Sequence, residues 1–68
     1  MDRRNTLKSL KKARTDAGYT IVQASEKLGI NPMTLSNYER GKSSPTVKLI
    51  KKIEKLYNIQ FQDIFFEL

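Results

Sequence analysis

The chain has 68 residues, enough for one domain with a small hydrophobic core. Its 13 basic and 7 acidic residues give a net charge of +6, which favours a polyanionic partner such as nucleic acid. The sequence contains no cysteine and no histidine, which excludes disulfides, Cys/His zinc sites, thiol nucleophiles and histidine general bases. We therefore expect no enzymatic activity, no cofactor and no metal.

The sequence shows neither a secretory signal nor a membrane span. The N-terminus is charged, and no apolar run approaches the length needed to cross a bilayer. A cytoplasmic protein with no membrane association is expected.

The N-terminal residues precede any apolar periodicity. Residues 1–5 are predicted to form a flexible arm, in which Arg3 and Arg4 either touch phosphate or remain solvated. A first helix is predicted over residues 6–16, and Gly18 ends it. Its inward-facing positions are Leu7, Leu10 and Ala13.

Residues 20–41 contain the strongest local signals in the chain. Thr20 and Gln23 have the spacing of a capping box, which predicts the start of a second helix. Gly29 ends that helix, because glycine readily takes the positive φ of a C′ position. Asn31 and Pro32 then suit the N-cap and first position of a third helix.

The third helix is predicted to continue to Arg40 and to end at Gly41, with Leu35 and Tyr38 facing inward. Two helices of roughly eight to nine residues, joined by a turn of about three that begins with glycine, have the layout of a helix-turn-helix.

A fourth helix is predicted over residues 47–57, after a loop at residues 41–45. Either Thr46 or Ser44 can cap it. The predicted inward stripe comprises Val47, Ile50, Ile53 and Tyr57, widened by Leu49 and Leu56. The lysines on its remaining sides are interpreted as a solvated face.

The motifs LGIN at residues 28–31 and LSNYERGK at residues 35–42, followed by Pro45, resemble the Cro/Xre-type helix-turn-helix family. The resemblance extends from about residue 10 to residue 65. It implies an all-α fold for residues 1–68, a compact five-helix bundle of the phage-repressor DNA-binding-domain type. Helices 2 and 3 would form its helix-turn-helix. It also implies a structural ion pair between Arg14 and Glu39.

The C-terminal tail is ambiguous by pattern alone. Ile59 and Phe61 alternate with glutamines as in a strand, but a lone strand has no partner in an otherwise helical chain. The resemblance implies a short fifth helix instead, predicted over residues 61–66. Its expected core residues are Phe61, Ile64 and Phe65. Phe66 and Leu68 are candidates for a subunit contact.

In a helix-turn-helix the second helix lies in the major groove of double-stranded DNA. Asn37 is the best candidate reader, because its amide can donate to and accept from adenine. The predicted base-reading residues are Pro32, Met33, Ser36 and Asn37. The predicted phosphate contacts are Thr20, Gln23, Thr34, Arg40, Lys42, Ser43 and Ser44.

Ile21 occupies a position where many relatives carry glutamine, and Val22 follows it. Together with Pro32 and Met33, these residues would form an unusually apolar face. Two functions therefore compete. The first is a sequence-specific transcriptional regulator that binds an inverted repeat as a homodimer. The second is a modulator or antirepressor that binds a partner repressor protein through this apolar face.

Overall fold

Four α-helices form most of the described part of the chain in the computed structural model, which describes residues 8–65. They are α1 (Leu10–Asp16), α2 (Ile21–Leu28), α3 (Pro32–Glu39) and α4 (Val47–Tyr57). A 3-10 turn at Phe61–Asp63 and two short strands, β1 (Lys8–Ser9) and β2 (Ile64–Phe65), complete the described part. The structure is mainly helical, as predicted, but the prediction of five helices is wrong.

The first helix begins later than predicted, at Leu10. Ser9 is its N-cap, with an extended backbone at φ −67° and ψ 160°, and its Oγ accepts a hydrogen bond of 3.1 Å from the Lys12 amide. Such a cap sets the helix boundary because the serine oxygen satisfies a free N–H of the first turn. Arg3, Arg4 and Leu7 lie outside the described residues.

The tail forms a strand where a fifth helix was predicted. β2 pairs in parallel with β1, with Lys8 opposite Ile64 and Ser9 opposite Phe65. The partner strand precedes α1, and the paired residues follow the alternating stretch at residues 59–62, which itself forms no strand. The pairing brings the two ends of the described chain together.

The predicted core of the tail is correct at one position and wrong at another. Ile64 is 8% exposed and belongs to the core, whereas Phe61 is 41% exposed at the start of the 3-10 turn. The side chain of Phe65, together with Phe66 and Leu68, lies outside the described part of the chain.

The bounds of α4 are those predicted, and its cap is Thr46, whose Oγ1 accepts from the Leu49 amide at 3.2 Å. Val47, predicted to face inward, is instead 71% exposed. The reason is helical geometry. Val47 and Ile53 are six residues apart, which places their side chains about 120° from each other around the helix axis. Because Ile53 faces the core, Val47 cannot face it as well.

The core lies where the four helices meet. Its buried apolar residues are Leu10, Ala13, Ala24, Leu28, Leu35, Leu49, Ile53, Tyr57 and Ile64. Leu35 is fully buried, so α3 is anchored through one face and leaves the opposite face available. This arrangement positions the candidate site.

Tyr57 is buried, and its hydroxyl makes no hydrogen bond within the described residues. Burial, aided by the negative charge of Glu39, raises the pKa of Tyr57 from its ordinary value of 10 to about 12. Between these two pH values the folded chain keeps a proton that the unfolded chain releases. The free energy of unfolding therefore falls as the pH rises through this window, by roughly 2–3 kcal/mol from this residue.

Urea unfolding of the wild type and Tyr57→Phe across the same window tests this expectation. The variant keeps the ring and removes the titrating group, so its stability should fall less steeply as the pH rises. Equal slopes for the two proteins would contradict the account.

Candidate nucleic-acid interface

The start of α2 is held by a reciprocal capping box. The Gln23 amide donates to Thr20 Oγ1 at 3.1 Å, and the Thr20 amide donates to Gln23 Oε1 at 3.0 Å. Both side chains use their oxygens as acceptors in this box. The Thr20 hydroxyl proton and the Gln23 side-chain NH₂ therefore remain available to donate outward.

The turn between α2 and α3 is defined by its end residues. Gly29 has φ +74°, and the Ile30 amide donates back to the Ser25 carbonyl at 3.0 Å, which closes α2 with a Schellman motif. Asn31 Oδ1 then accepts from the Met33 amide at 2.8 Å, with Pro32 at the first position of α3. These local contacts fix the direction in which α3 leaves the turn.

The end of α3 is closed in the same way. The Lys42 amide donates to the Asn37 carbonyl at 2.9 Å, and the Gly41 amide donates to the Tyr38 carbonyl at 3.2 Å. Gly41 has φ +74°, a conformation that glycine adopts without steric cost. Arg40 and Lys42 are consequently held directly beside the last turn of α3.

Arg14 and Glu39 form a two-contact ion pair beneath the site. Arg14 Nε lies 2.8 Å from Glu39 Oε2, and an η nitrogen lies 3.3 Å from Oε1. The other η nitrogen donates to the Tyr19 carbonyl at 2.9 Å. The two side chains are only 9% and 7% exposed, so the pair joins α1, the loop before α2 and the end of α3 away from water.

The predicted base-reading residues differ in their exposure. Met33 is 65% exposed and Pro32 is also exposed, whereas Ser36 and Asn37 are half-buried. The Ser36 hydroxyl and the Asn37 amide make no hydrogen bond within residues 8–65, so both remain available to a ligand. We call these four residues the α3 surface.

Most predicted phosphate contacts are exposed, and Thr34 is half-buried. The exposed members are Thr20, Gln23, Arg40, Lys42, Ser43 and Ser44. They fall into two groups, one at the start of α2 and one after the end of α3. This distribution suits contacts to a backbone on either side of α3.

An open cleft of about 650 Å³ lies between α1, the start of α2 and α3. The predicted residues Ser36 and Arg40 line it together with Ile21. Ser9 and Lys11 also line it, and neither was predicted as a site residue. No local signal distinguishes Lys11 from its neighbouring lysine, because its position depends on how α1 packs against α3.

A profile for the family described as Helix-turn-helix matches residues 10–64 of the chain. The chain belongs to the Cro/Xre-type helix-turn-helix family. The match covers α1 to the first residue of β2, so it includes every predicted base-reading and phosphate-contacting residue.

Three curated relatives support the same assignment. The chain is 48% identical over 52 residues to the HTH-type transcriptional regulator ImmR of Bacillus subtilis, covering 76% of this chain but 41% of ImmR. It is 36% identical over 56 residues to an uncharacterized HTH-type transcriptional regulator of Methanocaldococcus jannaschii, covering 82% and 85% of the two chains. A regulator of Archaeoglobus fulgidus, also uncharacterized, is 30% identical over 56 residues, covering 82% and 79%. No solved structure matches the chain significantly.

The α3 surface of this Cro/Xre-type chain carries no charge. The only charged residue within α3 is Glu39, and its carboxylate is engaged by Arg14. Positive charge lies outside the helix, at Arg40, Lys42 and Lys11. The arrangement separates cations that can hold phosphate from the polar and apolar side chains that would meet base edges.

The apolar residues at the start of α2 are not equivalent in this family member. Ile21 is half-buried and packs against the core, whereas Val22 is 54% exposed. Only Val22 therefore adds substantially to the exposed apolar surface. Residues 8–65 include no helix able to cross a membrane and no cluster of acidic residues able to hold a metal ion.

Proposed function

We propose that this chain is a sequence-specific DNA-binding transcriptional regulator that inserts α3 into the major groove. The observation that carries the proposal is the uncommitted Asn37 amide on α3, with Arg40 and Lys42 fixed immediately after that helix. In a helix-turn-helix, contacts to base edges give sequence specificity, and contacts to phosphates fix the position of the protein on the duplex. The names of the relatives, all HTH-type transcriptional regulators, support it.

The backbone contacts would come from both ends of the interface. At the start of α2, the free donors of Thr20 and Gln23 lie at the positive end of the helix dipole, which favours an anion. After α3, Arg40 and Lys42 supply charge and Ser43 and Ser44 supply hydroxyl donors. The two groups of residues would thus contact the phosphates on either side of the groove.

We further propose that the regulator binds as a homodimer on an inverted repeat. One domain of 68 residues presents only a single α3 to the groove, which limits both affinity and site length. A symmetric pair doubles the contacts and requires two-fold related half-sites one helical turn apart.

The salt dependence of binding tests the phosphate contacts. The logarithm of the binding constant falls linearly with the logarithm of the salt concentration, and each phosphate that a cation neutralises makes this slope steeper by about 0.9. Arg40→Ala and Lys42→Ala should each reduce that slope by about 1 per bound chain, since each removes one contact, with little change in sequence preference. The measurement is a salt titration of binding to one labelled duplex.

Lys55→Ala is the matched control for this titration. Lys55 is also an exposed cation, but it lies in the last turn of α4 and belongs to neither group of predicted DNA contacts. The control should keep the wild-type slope. Equal slopes for all four proteins would contradict the proposed backbone contacts.

A second candidate function rests on the exposed apolar side chains. Val22 and Met33 are 54% and 65% exposed at the starts of α2 and α3, and exposed apolar residues can mark a protein partner. In that case the chain would act as a modulator of a partner repressor. Binding through apolar contacts would respond only weakly to salt, so the same titration separates the two functions.

A further inference from the structure

The α3 surface carries neither arginine nor lysine, the two side chains that pair best with guanine. In the major groove guanine presents two acceptors, which arginine or lysine recognises best. α3 contains no lysine or arginine, and its single charge, Glu39, is paired with Arg14 below the surface. Arg40 lies beyond the helix as its C-cap residue.

The exposed part of the first turn of α3 is apolar instead. Met33 is 65% exposed and Pro32 is also exposed. Asn31, the polar residue beside them, uses its Oδ1 as the N-cap acceptor for the Met33 amide, which leaves it only the NH₂ group as a donor. Neither exposed side chain can satisfy a donor or acceptor on a base edge, so a polar edge placed against them would lose its hydrogen bonds to water.

Thymine is the base whose major-groove edge carries a methyl group. A flexible thioether packs well against such a group, and burial of the methyl needs no hydrogen-bond partner. Asn37, further along the α3 surface, pairs best with adenine. Both preferences select the same type of base pair, because adenine pairs with thymine.

We propose that Met33 is a specificity-determining residue that contacts a thymine methyl, so that the base pair beneath Met33 is A·T. This inference rests on the proposed DNA-binding function. It assigns recognition of thymine to Met33, a side chain that has no hydrogen-bonding group on which base readout usually depends. It also gives the apolar character of α3 a role in reading DNA.

Replacing a thymine by deoxyuridine removes the methyl group and leaves every hydrogen-bonding group in place. Burial of one methyl-sized group corresponds to roughly a fourfold change in a binding constant. Each thymine of a duplex enriched from a random pool would be replaced in turn, and the dissociation constant measured for the full chain. At least one position per half-site should bind about fourfold more weakly.

Met33→Ala identifies the side chain responsible. With this variant the same deoxyuridine substitution should have no effect, because the partner of the methyl is already absent. Val47→Ala is the control, since Val47 is an equally exposed apolar residue on α4. It should keep the wild-type ratio between the thymine and deoxyuridine duplexes.

The outcomes distinguish this inference from the function on which it rests. If no duplex is enriched, both are overturned. An enriched site in which no thymine methyl contributes, or in which Met33→Ala retains the full sensitivity to deoxyuridine, overturns the Met33 assignment alone. If Met33→Ala instead changed the preference at a guanine, that result would also overturn the assignment.

Discussion

Glu39→Ala is expected to lower the free energy of unfolding by about 3–5 kcal/mol, because it leaves the Arg14 guanidinium buried without its counter-charge. The two side chains are only 9% and 7% exposed, so water cannot replace the lost partner. Arg14→Ala should destabilise the chain comparably, since it strands the Glu39 carboxylate. Urea unfolding at neutral pH measures both effects.

The control is Asp16→Asn, which breaks the ion pairs of Asp16 with Lys8 and Lys12. Those pairs are exposed, so their loss should change stability little. The double variant Arg14→Met/Glu39→Leu should recover much of the single-variant loss, because neither charge remains buried. A cost of Glu39→Ala no larger than that of Asp16→Asn would show that the pair does not hold α3 in place.

The helix-turn-helix could be predicted because its boundaries carry local signals. Each signal depends only on residues a few positions away in the sequence. The signals are the capping box of Thr20 and Gln23, the glycine at position 29 and the Asn31-Pro32 step. Their geometry does not depend on distant parts of the chain. The bounds of α2 and α3 therefore followed from the sequence to within one residue.

The pairing of the two chain ends could not be predicted in the same way. Each strand has two residues, and each needs a partner at the other end of the sequence. The Ser9 cap was overlooked because the apolar spacing of residues 7–13 continues through it. Phe61 was expected in the core because the family resemblance implied a helix there, but the 3-10 turn places it at the surface.

The residues proposed for the interface were chosen from the sequence, but their arrangement could not be predicted from it. The α3 surface followed from the inward positions of Leu35 and Tyr38, which leave the opposite face free. The cleft that joins Lys11 to Ser36 and Arg40 depends on the packing of α1 against α3, and no periodicity encodes it. The split between half-buried Ile21 and exposed Val22 is likewise a tertiary effect.

Asn37→Ala is expected to remove the preference for one adenine in each half-site. An asparagine–adenine pair discriminates against the wrong base by about 1–3 kcal/mol, and a dimer carries the contact twice. The side chain is half-buried, and the Asn37 carbonyl is fixed by the Lys42 amide, so the amide is presented from a defined backbone. Binding of the best duplex should therefore weaken by about tenfold or more for each half-site.

Lys55→Ala again serves as the control, because it removes a cation without touching the α3 surface. It should leave every base preference unchanged. A variant at position 37 that weakens binding equally for all sequences would place Asn37 on the phosphate backbone instead.

The proposed function requires that α3 read base edges in a two-fold symmetric site. The most direct measurement is selection of bound duplexes from a random pool at near-physiological salt, with the wild type and Asn37→Ala run in parallel. We predict that the wild type enriches an inverted repeat with A·T pairs in each half-site, and that Asn37→Ala loses one adenine preference per half-site. Failure of the wild type to enrich any motif would contradict the account and favour a protein partner for Val22 and Met33.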